Sequence, residues 1–300
     1  MRIGLYVSGE PSVEGAVERV RAAAGAGLDS VYFSQIFGWD ALTVVALAGH
    51  QVPGIDLGTA VVQTQPRHPV ALAGQALTTQ AATGNRLTLG VGPSHRALIE
   101  GSFGLSYDRP ARHVREYLEV LLPLLRGEQA DHRGEALRVT ARIEAAGAEP
   151  PPVLLSALGP VMLGIAGELA DGTVTTWATP PVIADHVKPR LDAAATAAGR
   201  PAPRIVCGVT VSVTDRPEAV RREVAEAMRG VSDLPAYRAL LDRQKLSGVH
   251  ETALIGDEDE VVAGLRAFAE AGTTEVLAGI AGDPAEYART LALLADLRRV

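Results

Sequence analysis

The amino-acid sequence predicts an α/β fold in which a single (β/α)8 TIM barrel takes up the whole chain of 300 residues. Short β-branched runs alternate with longer Ala- and Leu-rich stretches of helical periodicity, which is typical of βα units around a parallel sheet. Several of these runs are apolar at consecutive positions, as expected of strands that are buried on both faces. We count eight runs, whereas an open doubly wound sheet more often has about five or six strands.

The predicted strands are short segments bounded by residues that favour turns. They are residues 2–7, 29–33, 56–62, 86–91, 152–156, 172–176, 204–213 and 274–279. Their starts are 27, 27, 30, 66, 20, 32 and 70 residues apart, and a regular βα unit takes about 30 residues. The two longest intervals therefore predict insertions after strands 4 and 7, at approximately residues 100–151 and 230–250, within one domain over residues 1–300.

The helices predicted between the strands have recognisable ends. Residues 15–26 place Val17 and Val20 on one face. Proline is well accommodated in a first helical turn, so Pro69 and Pro217 mark the starts of two further helices. After residues 15–26, the predicted helices are residues 69–82, 109–126, 217–229, 234–246 and 258–271, and one more begins near residue 161.

Charge and composition exclude several classes of protein. The sequence has 28 basic and 35 acidic residues, a formal net charge of −7, and its basic residues are mostly scattered. Nucleic acids and anionic membranes are bound by clustered basic residues, so we expect neither as a partner. The lone Cys207 allows no internal disulfide. No apolar segment approaches the ~18 residues of a membrane span and no signal peptide is recognisable, so we expect a cytoplasmic protein.

In a barrel of this kind the chemistry gathers where the strands end, so the residues after each predicted strand are the candidate site. These positions are polar but hold few acids or bases. The sequence shows no metal-ligand cluster, no pair of carboxylates and no Gly-x-Ser-x-Gly nucleophile motif there. Such a site suits chemistry that a bound organic cofactor performs on a small-molecule substrate. The candidates are Ser8, Ser34, Gln35, Trp39, Ala60, Val61, Gln63, Gly92, His95, Ala157, Leu158, Gly159, Pro160 and Trp177.

A set of short motifs gives the chain a family resemblance over nearly its whole length. The most characteristic motifs are Gly58-Thr59-Ala60-Val61, Pro66-Arg67-His68-Pro69, Gly84-Asn85-Arg86 and Leu89-Gly90-Val91-Gly92. Two later ones are Ala166-Gly167-Glu168-Leu169-Ala170-Asp171-Gly172 and Leu254-Ile255-Gly256-Asp257. In this order and spacing, the chain resembles the bacterial luciferase-like superfamily. Within that superfamily it is most similar to the oxidoreductases that depend on coenzyme F420, a deazaflavin.

The resemblance implies a TIM barrel with insertions that holds the tricyclic ring of the cofactor in its mouth. It also implies a non-proline cis peptide behind the ring, which by position is the bond between Ala60 and Val61. The loop from Ser156 to Pro160 joins a strand to a helix, and free amides at a helix N-terminus favour a phosphate. The expected cofactor-binding residues are Ser34, Ala60, Val61, Gln63, Gly92, Ala157, Leu158, Gly159 and Pro160. The expected substrate pocket contains Ser8 and Trp177.

The residues after strand 2 bear on the reaction direction. Ser34 and Gln35 stand where sugar-phosphate-oxidising members of the family carry Asp and His, and Trp39 matches their active-site tryptophan. Gln35 donates and accepts hydrogen bonds but cannot carry a proton near neutrality, which favours a reductase over a sugar-phosphate dehydrogenase. His95, with an ordinary pKa of about 6.5, is the best general acid in the set. We therefore expect catalytic roles for His95, Gln35 and Trp39.

Other basic side chains receive different interpretations. His68 is expected to make a structural hydrogen bond, and we assign no chemistry to His186. Arg109, Arg112 and Arg115 either form a solvated helix face or meet the acidic tail of F420.

The leading hypothesis is an F420H2-dependent reductase that transfers a hydride to a C=C or C=N bond of a small organic substrate. Intermediates of secondary metabolism are among the substrates that the resemblance implies. Two alternatives stay open, namely an FMN-dependent luciferase-like monooxygenase and a non-catalytic cofactor-binding barrel. Because relatives are commonly dimers, the resemblance also implies a homodimer.

Overall fold

The computed structural model describes residues 1–299, and its centre is a closed ring of parallel strands. The strands are β1 Arg2–Val7, β2 Ser30–Phe33, β3 Asp56–Thr59, β4 Val62–Gln63, β5 Leu87–Gly92, β6 Ala130–Arg133, β7 Arg138–Ala141, β8 Val153–Ser156, β9 Gly172–Thr176, β10 Arg204–Val213, β11 Leu254–Gly256 and β12 Glu275–Ile280. The ring runs in the order β1, β2, β3, β5, β8, β9, β10 and β12, and it closes because β12 pairs with β1. The predicted (β/α)8 barrel is therefore confirmed.

Helices cover the outside of the ring. They are α1 Val13–Gly25, α2 Ala41–Gln51, α3 Pro69–Ala82, α4 Arg96–Gly101, α5 Pro110–Leu125, α6 Pro160–Leu169, α7 Pro180–Val182, α8 Lys188–Ala197, α9 Pro217–Ala227, α10 Pro235–Gln244, α11 Glu258–Glu270 and α12 Pro284–Arg299. A π-helical turn over Ile183–Val187 joins α7 to α8. Helix α3 begins after His68, whose Nδ1 accepts the Val70 N–H at 3.3 Å, so the structural role expected for this histidine is confirmed. Within residues 1–299, no helix is both long enough and apolar enough to cross a membrane.

The predicted strands correspond one to one with the strands of the ring, and β1, β9 and β10 have the predicted bounds. The predicted strand at 56–62 is wrong in one respect, because it is interrupted at Ala60 and Val61 between β3 and β4. The sequence also misses β11 and the hairpin of β6 and β7. The first has three residues, and the second is mostly polar, so neither offers the apolar run that indicates a strand. Helices α2, α8 and α12 lie outside the predicted segments.

The hairpin of β6 and β7, which lies between β5 and β8 in the chain, is attached to α5 by a buried carboxylate. Glu116 accepts the backbone N–H groups of Glu135, Ala136 and Leu137 at 3.1, 2.9 and 2.9 Å. Although burial opposes ionisation, these bonds hold the pKa of Glu116 below its usual value. The carboxylate therefore replaces the partners that the hairpin turn lacks within its own backbone.

The barrel interior is filled by a small cluster of side chains that is distinct from the larger core under the helices. Its buried members are Tyr32, Leu154, Val174, Val206 and Leu277. Successive residues of a strand point to opposite faces, so alternate residues of each ring strand enter this interior. Tyr6, Ala60 and Val61 are only partly buried and cover the cluster. They separate the packed interior from the mouth.

A polar network closes the opposite end of the barrel, where the strands begin. Glu275 is fully buried and accepts hydrogen bonds from Ser30 Oγ at 2.5 Å and Arg204 Nη2 at 2.7 Å. The same guanidinium donates to the Tyr32 hydroxyl at 3.0 Å and to Thr88 Oγ1 at 3.3 Å. The buried charges are thus paired and hydrogen-bonded, as burial in a low-dielectric interior requires.

Candidate active site at the barrel mouth

The floor of the mouth consists of Tyr6, Ala60 and Val61, which lie above the interior cluster. The peptide bond between Ala60 and Val61 is cis, which confirms the conformation that the resemblance implies for this position. The chain here is fixed by the Ala60 N–H, which donates to the Phe33 carbonyl at 2.8 Å. The result is an apolar ledge with one phenol, at the level where the ring strands end.

Hydroxyl groups line one side of this floor. Ser34 Oγ donates to Ser8 Oγ at 2.9 Å, and the side chain of Ser34 is also hydrogen-bonded to Tyr6. Burial raises the pKa of Tyr6, so its hydroxyl stays protonated at neutral pH and can donate. The three groups therefore present donors and acceptors without a net charge.

The two candidates in the loop after β2 have different environments. Gln35 Oε1 accepts the Ala41 N–H at 2.7 Å, at the first residue of α2, so the side chain serves to begin that helix. Only its amide N–H groups stay available to a ligand. Trp39 is half exposed, and its Nε1 donates to the Glu10 carbonyl at 3.2 Å. That bond joins the loops after β1 and β2.

An aromatic wall stands across the mouth. The rings of His95 and Tyr237 meet edge to face with centroids 4.7 Å apart, and those of Trp177 and Tyr237 do so at 4.4 Å. Trp177 has a left-handed backbone (φ 55°), and Gln244 holds it there by donating to its carbonyl at 3.0 Å. The wall therefore joins residues that follow β5 and β9 to a residue of α10.

Electrostatics in this wall favour neutral side chains. Burial lowers the pKa of His95, so its neutral form predominates at pH 7. Burial also raises the pKa of Tyr237, with smaller contributions from Tyr6 and Tyr107. The Tyr107 hydroxyl donates to the Ser94 carbonyl at 2.8 Å. Three tyrosines from β1, from the segment before α5 and from α10 thus converge on one face of the mouth.

Gln63 and Gly92 lie in the strands of the barrel and not in the loops that follow them. They are partners in the pairing of β4 with β5, and both are buried. A Cβ on Gly92 would lie 2.9 Å from the Cβ of Ser156 and 3.0 Å from Cγ2 of Val61. Glycine at this position therefore lets the strands that carry the floor approach each other closely.

The loop after β8 has the features of an anion site. Helix α6 begins at Pro160, which has no N–H, and the Leu163 N–H already donates to the Gly159 carbonyl, so the free amides of its first turn are those of Val161 and Met162. Ala157 is buried, and the Leu158 carbonyl accepts Nε2–H of His186 at 2.7 Å. The loop is thus anchored from below while Gly159 and Pro160 are exposed.

Two arginines, Arg190 and Arg243, act electrostatically on His186, the residue that anchors this loop. Burial lowers the pKa of His186, and the charges of Arg243 and Arg190 lower it further. Its Nδ1 is buried without a hydrogen-bond partner. Among the residues that the structure describes, no carboxylate forms a salt bridge with Arg190 or Arg243. His186, to which the sequence assigns no chemistry, therefore has a structural contact with the predicted phosphate loop.

The basic group predicted at the start of α5 is partly paired with carboxylates. Arg109 and Arg112 share Glu135, the former at 3.2 Å, and Arg115 makes two bonds of 2.7 and 2.6 Å to Glu168. Arg112 and Arg115 also line a cleft together with Pro160 and Val161 at the start of α6. Both interpretations of this group therefore stay open.

Sequence reasoning misses five side chains near the mouth and the loop after β8, namely Tyr6, Tyr107, Tyr237, Arg190 and Arg243. A signal for Tyr6 exists, because it lies two residues before Ser8 on the same face of β1. Tyr107, Tyr237 and Arg243 lie outside the ring strands, so no strand-end rule selects them. Within residues 1–299, no group of three or more His, Cys, Asp or Glu side chains is placed to hold a metal ion.

The chain is similar in sequence to proteins of known family. The family model described as luciferase-like monooxygenase matches residues 1–275. The F420-dependent glucose-6-phosphate dehydrogenase of Nakamurella multipartita is 28% identical over 279 residues, which cover 84% of this chain and 82% of that protein.

Two solved structures share the fold over nearly their full lengths. The coenzyme F420-dependent tetrahydromethanopterin reductase of Methanopyrus kandleri superposes with a TM-score of 0.82 at 21% identity, covering 98% of this chain and 97% of that one. The oxygenating constituent of the 3,6-diketocamphane monooxygenase of Pseudomonas putida, in complex with FMN, gives 0.78 at 18% identity and the same coverage.

Proposed function

We propose that this chain, which belongs to the luciferase-like monooxygenase family, is a coenzyme F420-dependent reductase acting on a small organic molecule. The proposal rests on two features at the same end of the barrel, namely an apolar floor and the N-terminus of α6 with free backbone amides. Tyr6, Ala60 and Val61 form the floor, and the amides after Gly159 form the helix end. A flat ring with a phosphate-bearing tail needs both parts.

The residues present fit this cofactor. The ring would lie on Ala60 and Val61, and the phosphate would be held by the amides that begin α6 and by Arg190 and Arg243. When bound, reduced F420 supplies a hydride from its C5 position, and a proton from the protein or from water completes the reduction of a C=C or C=N bond. Because the floor blocks one face, the substrate is expected on the other, between Ser8, Trp39 and Trp177.

His95 is our candidate for the proton donor. Its ring packs on Tyr237 at the edge of the mouth, and no side-chain capping bond occupies it although it precedes α4. The amide of Gln35 and the hydroxyl of Ser8 are suited to orient the substrate or a water molecule, since neither releases a proton near neutrality. The absence of a histidine at position 35 favours reduction as the physiological direction.

The first test is cofactor binding followed by the fluorescence of F420. We expect wild-type protein to bind F420 with a submicromolar Kd, and Arg243→Ala to weaken binding about tenfold because a charge-assisted contact to phosphate is lost. Arg109→Ala is the matched control, since that guanidinium is already paired with Glu135. Submicromolar binding of FMN with none of F420 would instead support the FMN-dependent monooxygenase.

The second test is the pH dependence of turnover. Burial lowers the pKa of His95 below its ordinary value of 6.5. A reaction that uses the protonated imidazole therefore slows as the pH rises through this lowered pKa. We expect kcat for oxidation of F420H2 by the most reactive of a panel of cyclic enones to fall from pH 5.5 to pH 8. In His95→Gln this slope disappears, whereas His68→Gln, at the start of α3, keeps it.

Two results would count against this assignment. An unchanged pH profile in His95→Gln would remove His95 as the proton donor. If no enone or imine bleaches F420H2 although F420 binds, the non-catalytic barrel is the better description.

A further inference from the structure

A pocket of about 300 Å³ opens between the ends of β1 and β2. Val7, Phe33, Ala16 and Val44 form its buried, apolar base. Its upper side is lined by Ser8 and Ser34, which also border the floor of the mouth through Tyr6. The pocket is therefore continuous with the candidate active site, and its volume lies at the small end of the range for ligand sites.

Large apolar side chains surround the entrance of this pocket. Ile36, Phe37 and Trp39 line it and are 54%, 64% and 50% exposed. The ring of Phe37 packs against Phe103 with centroids 5.8 Å apart. We call the side chains of Ile36, Phe37, Trp39 and Phe103 the apolar rim. Folding leaves them in water although burial of each would be favourable, and such a patch marks a binding surface.

The pocket carries no charge that is free to meet an ionic ligand. Glu10 is the one ionisable residue among those that line it, and it is paired with Arg19 at 2.8 Å. The two arginines that flank Phe103 in the chain are also paired, Arg96 with Glu100 and Arg109 with Glu135. An anion placed here would lose hydration without gaining a counter-charge, which disfavours phosphorylated or carboxylated substrates.

We infer that this pocket and the apolar rim bind the substrate, and that the substrate is uncharged and largely hydrophobic. The inference rests on the proposed function for the reaction, but the binding claim stands on the pocket alone. Trp39 has two roles at the pocket. Its Nε1 donates to the Glu10 carbonyl and so joins the loops after β1 and β2, and its ring lines the pocket. The rim thus selects for hydrophobic shape, and the hydroxyls of Ser8 and Ser34 orient a neutral polar group.

The experiment compares two fluorescent probes that share one skeleton. N-phenyl-1-naphthylamine is neutral, and 1-anilinonaphthalene-8-sulfonate adds a single negative charge. We expect the neutral probe to bind at least tenfold more tightly, and Phe37→Ser to weaken its binding about fivefold through loss of buried apolar area. Leu47→Ser is the matched control, because Leu47 is 45% exposed on α2 and does not line the pocket.

Turnover gives the second readout. With a neutral cyclic enone and F420H2, Phe37→Ser should raise KM about fivefold, with kcat and the Kd of F420 unchanged. Equal or tighter binding of the sulfonate probe would overturn the inference, and so would probe binding that is insensitive to Phe37→Ser. If F420 does not bind to wild-type protein, the proposed function fails, while the probe measurements still decide the chemistry of the pocket.

Discussion

Replacing Gly90 with alanine is expected to damage both the fold and the cofactor site. An alanine Cβ at this position would lie 2.0 Å from the Thr59 carbonyl oxygen, a backbone atom that no rotamer change can move away. Thr59 is fully buried and exchanges two hydrogen bonds with Gly90 through its hydroxyl, at 2.8 and 3.0 Å. The clash must therefore displace the backbone directly before Ala60, in the floor of the mouth.

We expect Gly90→Ala to lower the free energy of unfolding by about 3 kcal/mol, as overpacking of a rigid core does. The Kd for F420 should rise at least about tenfold, because the floor shifts with Thr59. Urea denaturation and fluorescence titration measure the two effects. If the variant does not fold, Gly92→Ala tests the same idea more gently, since its Cβ would meet the side chains of Ser156 and Val61.

Gly74→Ala is the control for this prediction. Gly74 lies within α3, and a Cβ there would meet nothing within 4 Å. Because alanine is favoured over glycine inside a helix, we expect this variant to be more stable by about 1 kcal/mol and to bind F420 normally. Equal stabilities of Gly90→Ala and wild type would contradict the close packing of β3 against β5.

Replacing Glu275 with leucine is expected to produce the largest loss of stability without changing the active site. The substitution leaves the guanidinium of Arg204 beside Tyr32 and Thr88 without its carboxylate. Arg2 lies 3.7 Å from the same carboxylate but keeps its pair with Asp56. Removing one partner of a buried ion pair costs about 3–5 kcal/mol, and we expect a loss near the lower value because the side chain of Arg204 is 29% exposed and stays partly hydrated. The network lies at the end of the barrel where strands begin, so the Kd of F420 in the folded fraction should be unchanged.

Two further variants separate charge burial from simple loss of a contact. Glu258→Gln breaks an exposed pair with Arg289 and should leave the denaturant midpoint almost unchanged, because water screens such pairs. Combining Glu275→Leu with Arg204→Met removes both charges, so part of the lost stability should return. Denaturant midpoints measure all three. If the double variant is no more stable than Glu275→Leu, then the unpaired arginine is not the cause of the loss.

Much of the barrel could be predicted from sequence because its strands are continuous apolar runs with turn residues at their ends. The prediction fails where local pattern and tertiary role diverge. The hairpin of β6 and β7 is polar and depends on Glu116, which is remote in sequence from the turn that it holds. Likewise, the sequence does not reveal that Glu135 and Glu168 are the partners of the arginines at the start of α5, because both glutamates are remote from them in the chain.

By itself, the sequence determines the parallel barrel, the order of its strands and the residues at their carboxyl ends, because strand periodicity and turn chemistry are local properties. It also determines that the site is poor in acids and bases. Only the tertiary structure decides which groups outside the strands reach the mouth. Tyr107, Tyr237 and Arg243 come from segments whose positions depend on packing between distant parts of the chain, such as the hydrogen bonds of Gln244 to Trp177 and Thr179.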